Sequence, residues 1–311
     1  MLSQIFIYLR ERKIFPKASS VICLMNGDLK KMYKIAEKKI LNPTVVQMNI
    51  VSPLVAKKAK PGQFIILRVD EDSERIPLTV AGTDAAEGTV KIIFQVVGAT
   101  TKKLSLKEEG EYIEDFVGPL GVPTHLDGLN EVCIVGGGVG CAIAYPVAKA
   151  LFEKGVEVHS VIGFRNCDLV ILEEEFKAHS TKFVPVSDDG SWGEQGLVTN
   201  ALRALIESGE TYDEVIAIGP LPMMKFVSLL TKEFNIPTIV SMNPVMIDGT
   251  GMCGGCRLTV GGKIKFACVD GPEFDGHLVD FDEAIARSSM YRTTERCAHE
   301  DTCNLFAKES N

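Results

Sequence analysis

The chain has no run of apolar residues approaching the roughly 20 that a membrane-spanning helix requires. Its early apolar patch, Ile5–Leu9, is too short for a signal-peptide core, and no small-residue cleavage pattern follows it. Basic residues are not in excess: 33 Lys and Arg against 41 Asp and Glu leave a net charge of −8. That balance argues against a phosphate backbone or an anionic membrane as partner, since each is held by a basic face. A disulfide framework is missing too. The nine cysteines are odd in number and unevenly spaced, and Cys23, Cys133, Cys141 and Cys167 stand singly. No internal repeat or low-complexity tract is visible. Together these absences predict a cytoplasmic chain with neither a nucleic-acid nor a membrane partner.

What remains is ordinary globular material, 46% hydrophobic and 24% charged over 311 residues, enough for about two domains. Residues 1–31 are expected to precede the true start as a non-native or disordered extension, because a clean β pattern begins directly at Met32. N-terminal sequencing of native protein checks this. From Tyr33 to Val117 short alternating segments are separated by turn signals such as Asn42-Pro43 and Pro61-Gly62. They predict strands over 34–41, 44–51, 63–69, 76–81 and 89–97, with a single helix near 101–106. This texture reads as a small antiparallel barrel. After Leu129 strands alternate with helices of ten to fifteen residues, which implies a parallel sheet. The expected class is therefore a β barrel plus an α/β domain, with units at 32–127, 128–244 and a C-terminal subdomain at 245–311.

Three constellations carry chemistry. Gly136-Gly137-Gly138-Val139-Gly140 lies between a predicted strand and a helix, where glycines let backbone approach a pyrophosphate. Cys141 stands where a third fingerprint glycine belongs, and the next strand ends in Gly163-Phe164-Arg165 without a ribose-binding acid. Tight packing is the other reading of such a turn. The second constellation is Arg75-Ile76-Pro77-Leu78-Thr79, followed by Gly98-Ala99-Thr100-Thr101. A strand-edge hydroxyl there can meet a ring system and a helix start a diphosphate, although Arg-x-Pro is usually only a strand entry.

The third is Asp248-x4-Cys253-x2-Cys256-x11-Cys268 in a glycine-rich loop. It reproduces plant-type [2Fe–2S] spacing with the first cysteine replaced by aspartate. Soft thiolates suit iron–sulfur or zinc. If Asp248 only caps a turn, the fourth ligand comes from Cys297, Cys303, His277 or His299, and a Cys3His zinc site is the rival reading.

The order of Pro61-Gly62-Gln63-Phe64, Pro77-Leu78-Thr79, Gly118-Pro119-Leu120-Gly121, Gly136–Gly140 and Gly219-Pro220-Leu221-Pro222 resembles the ferredoxin–NADP reductase superfamily. The run 241–256, from Ser241 through Asp248 to Cys256, is similar to its cluster-bearing members. These are electron-transfer subunits of dihydroorotate dehydrogenase and, more closely, the small subunit of electron-bifurcating NADH-dependent reduced ferredoxin:NADP+ oxidoreductase. Asn243 and Asp248 stand where the dihydroorotate type carries Glu and a fourth cysteine.

The resemblance implies an FAD-binding barrel, an NAD(H)-binding domain and a C-terminal [2Fe–2S] subdomain. It places Pro77, Leu78 and Thr79 along the isoalloxazine, with the Thr79 hydroxyl at flavin N5. Gly98, Thr100 and Thr101 would hold the FAD diphosphate. Gly136, Gly137, Gly138 and Gly140 would meet the nicotinamide nucleotide, with Asp189, Gly190, Gly219 and Pro220 completing the cleft. Asp248, Cys253, Cys256 and Cys268 would be the cluster ligands. The family's flavin-strand arginine falls at Ile76 here, and Arg75 is one residue displaced. The implied partner is a larger flavin/iron–sulfur subunit in a heterodimer, reaching ferredoxin and NADP(H) through that subunit.

Overall fold

The computed structural model describes residues 21–25 and 28–290. Of the expected extension, 1–20 and 26–27 lie outside the described residues. Within that stretch β1 (Val21–Met25) pairs antiparallel with the first part of β2 (Asp28–Asn42), Val21 opposite Met32.

The first half is an eight-stranded antiparallel sheet curled into a half-barrel. After β2 come β3 (Val45–Val51), β4 (Phe64–Arg68), β5 (Ile76–Asp84), β6 (Thr89–Gln95), β7 (Tyr112–Ile113) and β8 (Asp115–Leu120). Their order is β1-β2-β3-β6-β5-β4-β8, with β7 beside β2. Register shifts along β2, at 35/37 and 40/42, bend this long strand so that the sheet can curl. Alternate residues point inward, and Ile35, Met48, Ile50, Ile65, Leu67, Ile92 and Phe94 make a closed apolar interior. Two helices serve this half rather than one. They are α1 (Pro53–Lys58), started by a proline in its first turn, and α2 (Ala99–Ser105).

The second half holds seven strands in the order β12-β11-β10-β9-β13-β14-β17. These are β9 (Glu131–Gly137), β10 (Glu157–Phe164), β11 (Lys182–Ser187), β12 (Glu194–Gln195), β13 (Glu214–Ile218), β14 (Thr238–Ser241) and β17 (Glu273–Asp275). All neighbours are parallel except β14 and β17. Because β9 is covered on both faces, it reads as an apolar run without alternation. One face meets α3 (Cys141–Glu153) and α4 (Glu173–Ala178) through Ile134, Ala144, Val147 and Phe176. The other meets α5 (Val198–Glu207) and α6 (Leu221–Glu233). In α5 the buried Val198, Ala201, Leu202 and Leu205 recur at helical spacing, so one stripe faces the sheet.

The C-terminal segment does not stand apart. It carries a ribbon, β15 (Arg257–Val260) with β16 (Lys263–Phe266), and then returns through β17 to the edge of the parallel sheet. Helix α7 (Phe281–Ser288) follows. Met246, Cys256, Leu258 and Cys268 share one continuous core with Phe64 and Ile66 of the half-barrel and Val227 of α6.

Candidate functional site

The loop between β14 and β15 is shaped by glycines and by one carboxylate. Asp248 Oδ1 accepts from the Thr250 N–H at 2.9 Å and Oδ2 from the Cys253 N–H at 2.8 Å. The Thr250 N–H and then the Cys253 N–H hold this carboxyl below its ordinary range, so it is an anion at neutral pH. Gly249, Gly251 and Gly254 have φ values of +74°, +80° and +69°. At Gly249 the demand is double: a Cβ would lie 2.7 Å from Leu120 Cδ1 and 2.9 Å from Ile66 Cδ1. Absence of a side chain thus lets the loop press onto β4 and β8.

Cys253 is exposed, while Cys256 and Cys268 are buried. Backbone N–H groups approach two of the sulfurs at 3.5 Å, Gly255 toward Cys253 Sγ and Cys268 toward Cys256 Sγ. Burial, aided by the Cys256 sulfur and the Asp248 charge, pushes the Cys268 thiol up to about 12. Such thiols ionise when a metal charge replaces the missing solvation. Arg287 of α7 secures the loop by donating to the Gly255 carbonyl at 3.2 Å. Three sulfurs and one anionic carboxylate around N–H donors form a donor set that fits an iron–sulfur cluster. His277 is engaged elsewhere, its Nε2 lying 3.0 Å from the Thr231 hydroxyl. Cys297, Cys303 and His299 lie outside the described residues.

Across β4 from this loop runs the proposed flavin strand. Ile66, touched by Gly249, pairs with Pro77, Ile65 with Leu78, and Phe64 with Thr79. Pro77, Leu78 and Thr79 are half-buried. The Arg75 Nε just before them is buried without a hydrogen-bond partner, which fits a missing anionic ligand such as a diphosphate. Gly98 faces open space where a Cβ would sit. The Thr101 hydroxyl is spent locally: it accepts from the N–H of Val97 and Gly98 and donates to the Gly98 carbonyl, each at 3.0 Å. Thr101 therefore shapes the turn and offers a ligand only its backbone.

The glycine turn lines a cleft of 1030 Å³ that also takes in Asn42, Thr44 and Gln95 from the half-barrel, with Gly219, Pro220 and Asn243. Its glycines do different jobs. Added Cβ atoms would strike Ile162 at Gly136, Met223 at Gly137 and the Ile218 carbonyl at Gly140, whereas Gly138, at φ +55°, faces open space. Packing thus accounts for glycine at 136, 137 and 140, although Gly137 and Gly140 also line the cleft, whereas at Gly138 the positive φ calls for glycine. Asp189 is turned away, its Oδ1 accepting from Ser191 N–H and hydroxyl, and Gly190 completes that turn; the cleft is lined by Asp188 instead. Sequence reading also missed Thr199, Asn200 and Phe226, whose spacing marks only helix packing.

Comparison with known proteins accords with this geometry. Residues 243–280 match the iron–sulfur cluster binding domain of dihydroorotate dehydrogenase B, and residues 134–229 match the oxidoreductase NAD-binding domain. A dihydroorotate dehydrogenase B (NAD(+)) electron transfer subunit homolog from Thermotoga maritima is 49% identical over 274 residues, covering 88% of this chain and 94% of that one. The chain belongs to this family of electron-transfer subunits. It is an oxidoreductase subunit with an NAD-binding and an iron–sulfur-binding domain on a ferredoxin-reductase-type fold. An uncharacterised protein of Clostridium beijerinckii is 52% identical over 272 residues, 85% of this chain and 92% of its own. A solved chain from work on flavin-based electron bifurcation by NADH-dependent reduced ferredoxin-NADP oxidoreductase superposes with a TM-score of 0.82. It is 46% identical and covers 89% of this chain and 99% of its own. Subunits of this kind work in heteromeric complexes. No helix among the described residues is long and apolar enough to cross a membrane.

Proposed function

We propose that this subunit exchanges hydride with NAD(H) and single electrons with a larger flavin/iron–sulfur partner, as in NADH-dependent reduced ferredoxin:NADP+ oxidoreductase. The observation that carries the reading is the loop of Asp248, Cys253, Cys256 and Cys268 pressed by Gly249 onto the strand that pairs with Pro77–Thr79. When bound, the flavin would supply hydride chemistry and the cluster one-electron carriage.

The chain's own residues supply position. Pro77 and Leu78 would flank the isoalloxazine, and the Thr79 hydroxyl would offer it a hydrogen bond. Arg75 and the backbone of Gly98, Thr100 and Thr101 would take the diphosphate. Gly138 would admit the nicotinamide nucleotide to the cleft, with Gly136, Gly137 and Gly140 shaping the turn and Gly219-Pro220 and Asp188 at its sides. Asp248 would complete the ligand set of the cysteines. Cytoplasmic residence and access to ferredoxin and NADP(H) through the partner belong to the same reading.

Anaerobically purified protein should contain stoichiometric FAD and two irons. Its paramagnetic spectrum should change when Asp248→Cys is introduced. An unchanged signal would remove Asp248 from the ligand set, and iron-free protein holding stoichiometric zinc would end the electron-transfer reading. Copurification separates the partners: a dihydroorotate-oxidising companion in place of a larger flavin/iron–sulfur one would move the subunit to pyrimidine metabolism.

A further inference from the structure

The nucleotide cleft lies at the carboxyl ends of β9 and β10, and a second polar group gathers at their amino ends. Glu131 opens β9 and Glu157 opens β10 beside it in register. His159 follows Glu157 by two residues and so projects from the same face. Glu210 and Tyr212 arrive from the segment between α5 and β13. One carboxylate oxygen of Glu131, one of Glu210 and a ring nitrogen of His159 lie within 4.8 Å of one another. Glu157 Oε1 adds a fourth acceptor 3.5 Å from His159 Nε2.

His159 is 3% exposed, yet its ring has one hydrogen bond among the described residues, between Nδ1 and the Tyr212 hydroxyl at 3.0 Å. The two rings also meet edge to face. With the Nδ1 side engaged by Tyr212, the Nε2 side lies toward Glu157 Oε1, and a metal ion there would take the Nε2 lone pair. Among the described residues a single cation pairs with any of these three acids: Lys182 Nζ, 2.6 Å from Glu210 Oε1. Around a neutral imidazole the group therefore keeps a charge of about −2, which one divalent ion would cancel.

We propose that Glu131, His159 and Glu210, with Glu157 as fourth donor, form a divalent-cation site of zinc type, separate from the cysteine loop. Imidazole nitrogen with carboxylate oxygens is a donor set zinc accepts. The Tyr212 contact is the outer hydrogen bond that orients a metal-bound imidazole. Lys182 holds Glu210 when the ion is away and must release it when the ion binds. The bound ion would tie β9 and β10 to the segment that leads into β13.

The test titrates zinc chloride into holoprotein that has been dialysed against chelator, by calorimetry, while the visible absorbance reports that the cysteine loop is undisturbed. One saturable equivalent is expected. His159→Gln should weaken it at least tenfold. Because His159 is buried, Glu210→Gln, a change nearer the surface, is run beside it and should show the same loss. Lys182→Met should tighten binding by removing the competitor. Equal affinity in all four proteins, or no saturable binding by the unmodified one, overturns the site and leaves the electron-transfer reading intact.

Discussion

Replacing Glu273 by glutamine is expected to stabilise the subunit at pH 8 and to change little near pH 4. Glu273 lies on β17 at the edge of the parallel sheet, beside Gly62 of the half-barrel. Its Oε1 accepts from the Thr124 hydroxyl at 2.7 Å, and a Cβ on Gly62 would come within 3.0 Å of the same oxygen. The Gly271 carbonyl beside it takes the Val122 N–H at 2.7 Å. Burial, reinforced by the nearby Glu214 charge, raises this carboxyl from an ordinary 4.5 to about 7, against the partial relief of the Thr124 bond. In the unfolded chain the group loses its proton near 4.5, whereas in the folded chain it keeps it until about 7. The folded state therefore binds more protons in that window. Its stability is full below pH 4.5 and is lost as pH rises through 7. The loss amounts to about 3 kcal/mol. Glutamine keeps an acceptor for Thr124 and never ionises, so it removes the loss. For a chain of this length the gain corresponds to roughly 5 °C in the thermal midpoint at pH 8. Calorimetric scans of holoprotein at pH 4 and pH 8 read the difference directly. A gap between variant and parent that is the same at both pH values would refute the reasoning.

Two other substitutions test the site's architecture. Gly249→Ala places a side chain at φ +74° and drives it into Leu120 and Ile66; left-handed backbone and overpacking together cost about 2–5 kcal/mol. Iron retention and thermal midpoint should both fall, and an unchanged midpoint would show that the loop does not sit this tightly. Arg75→Met removes the buried unpartnered Nε donor and should weaken FAD binding about tenfold to a hundredfold, since charge-assisted hydrogen bonds contribute about 1.5–3 kcal/mol. Equal flavin retention in an equilibrium dialysis would place the diphosphate elsewhere.

Local pattern made much of the fold legible. The covered strands β9 and β13 announce themselves as apolar runs, and α5 carries its buried stripe at helical spacing, because periodicity records which face is dry. The iron–sulfur-type loop that holds Asp248, Cys253, Cys256 and Cys268 was readable for a similar reason: the proposed donors lie close along the chain, as a short cluster-binding loop requires. Helix α1 escaped notice, since six residues carry too little periodicity. So did β17, three residues defined by pairing with β14 rather than by their own composition.

Which glycine is packed depends on neighbours brought from β10, β13 and α6, so a run of identical residues concealed one position with open space beside it, Gly138, among three packed ones. Asp188 and Asp189 are equivalent in sequence, and a turn closed by Ser191 turns the second away from the cleft. Glu131, His159 and Glu210 are unremarkable singly; strand register and the chain's return before β13 make them neighbours. Composition and short-range spacing thus determined the classes of domain and the cysteine loop. Contacts between residues far apart in the chain decided how the loop meets the half-barrel, because only packing sets which distant side chains share a surface.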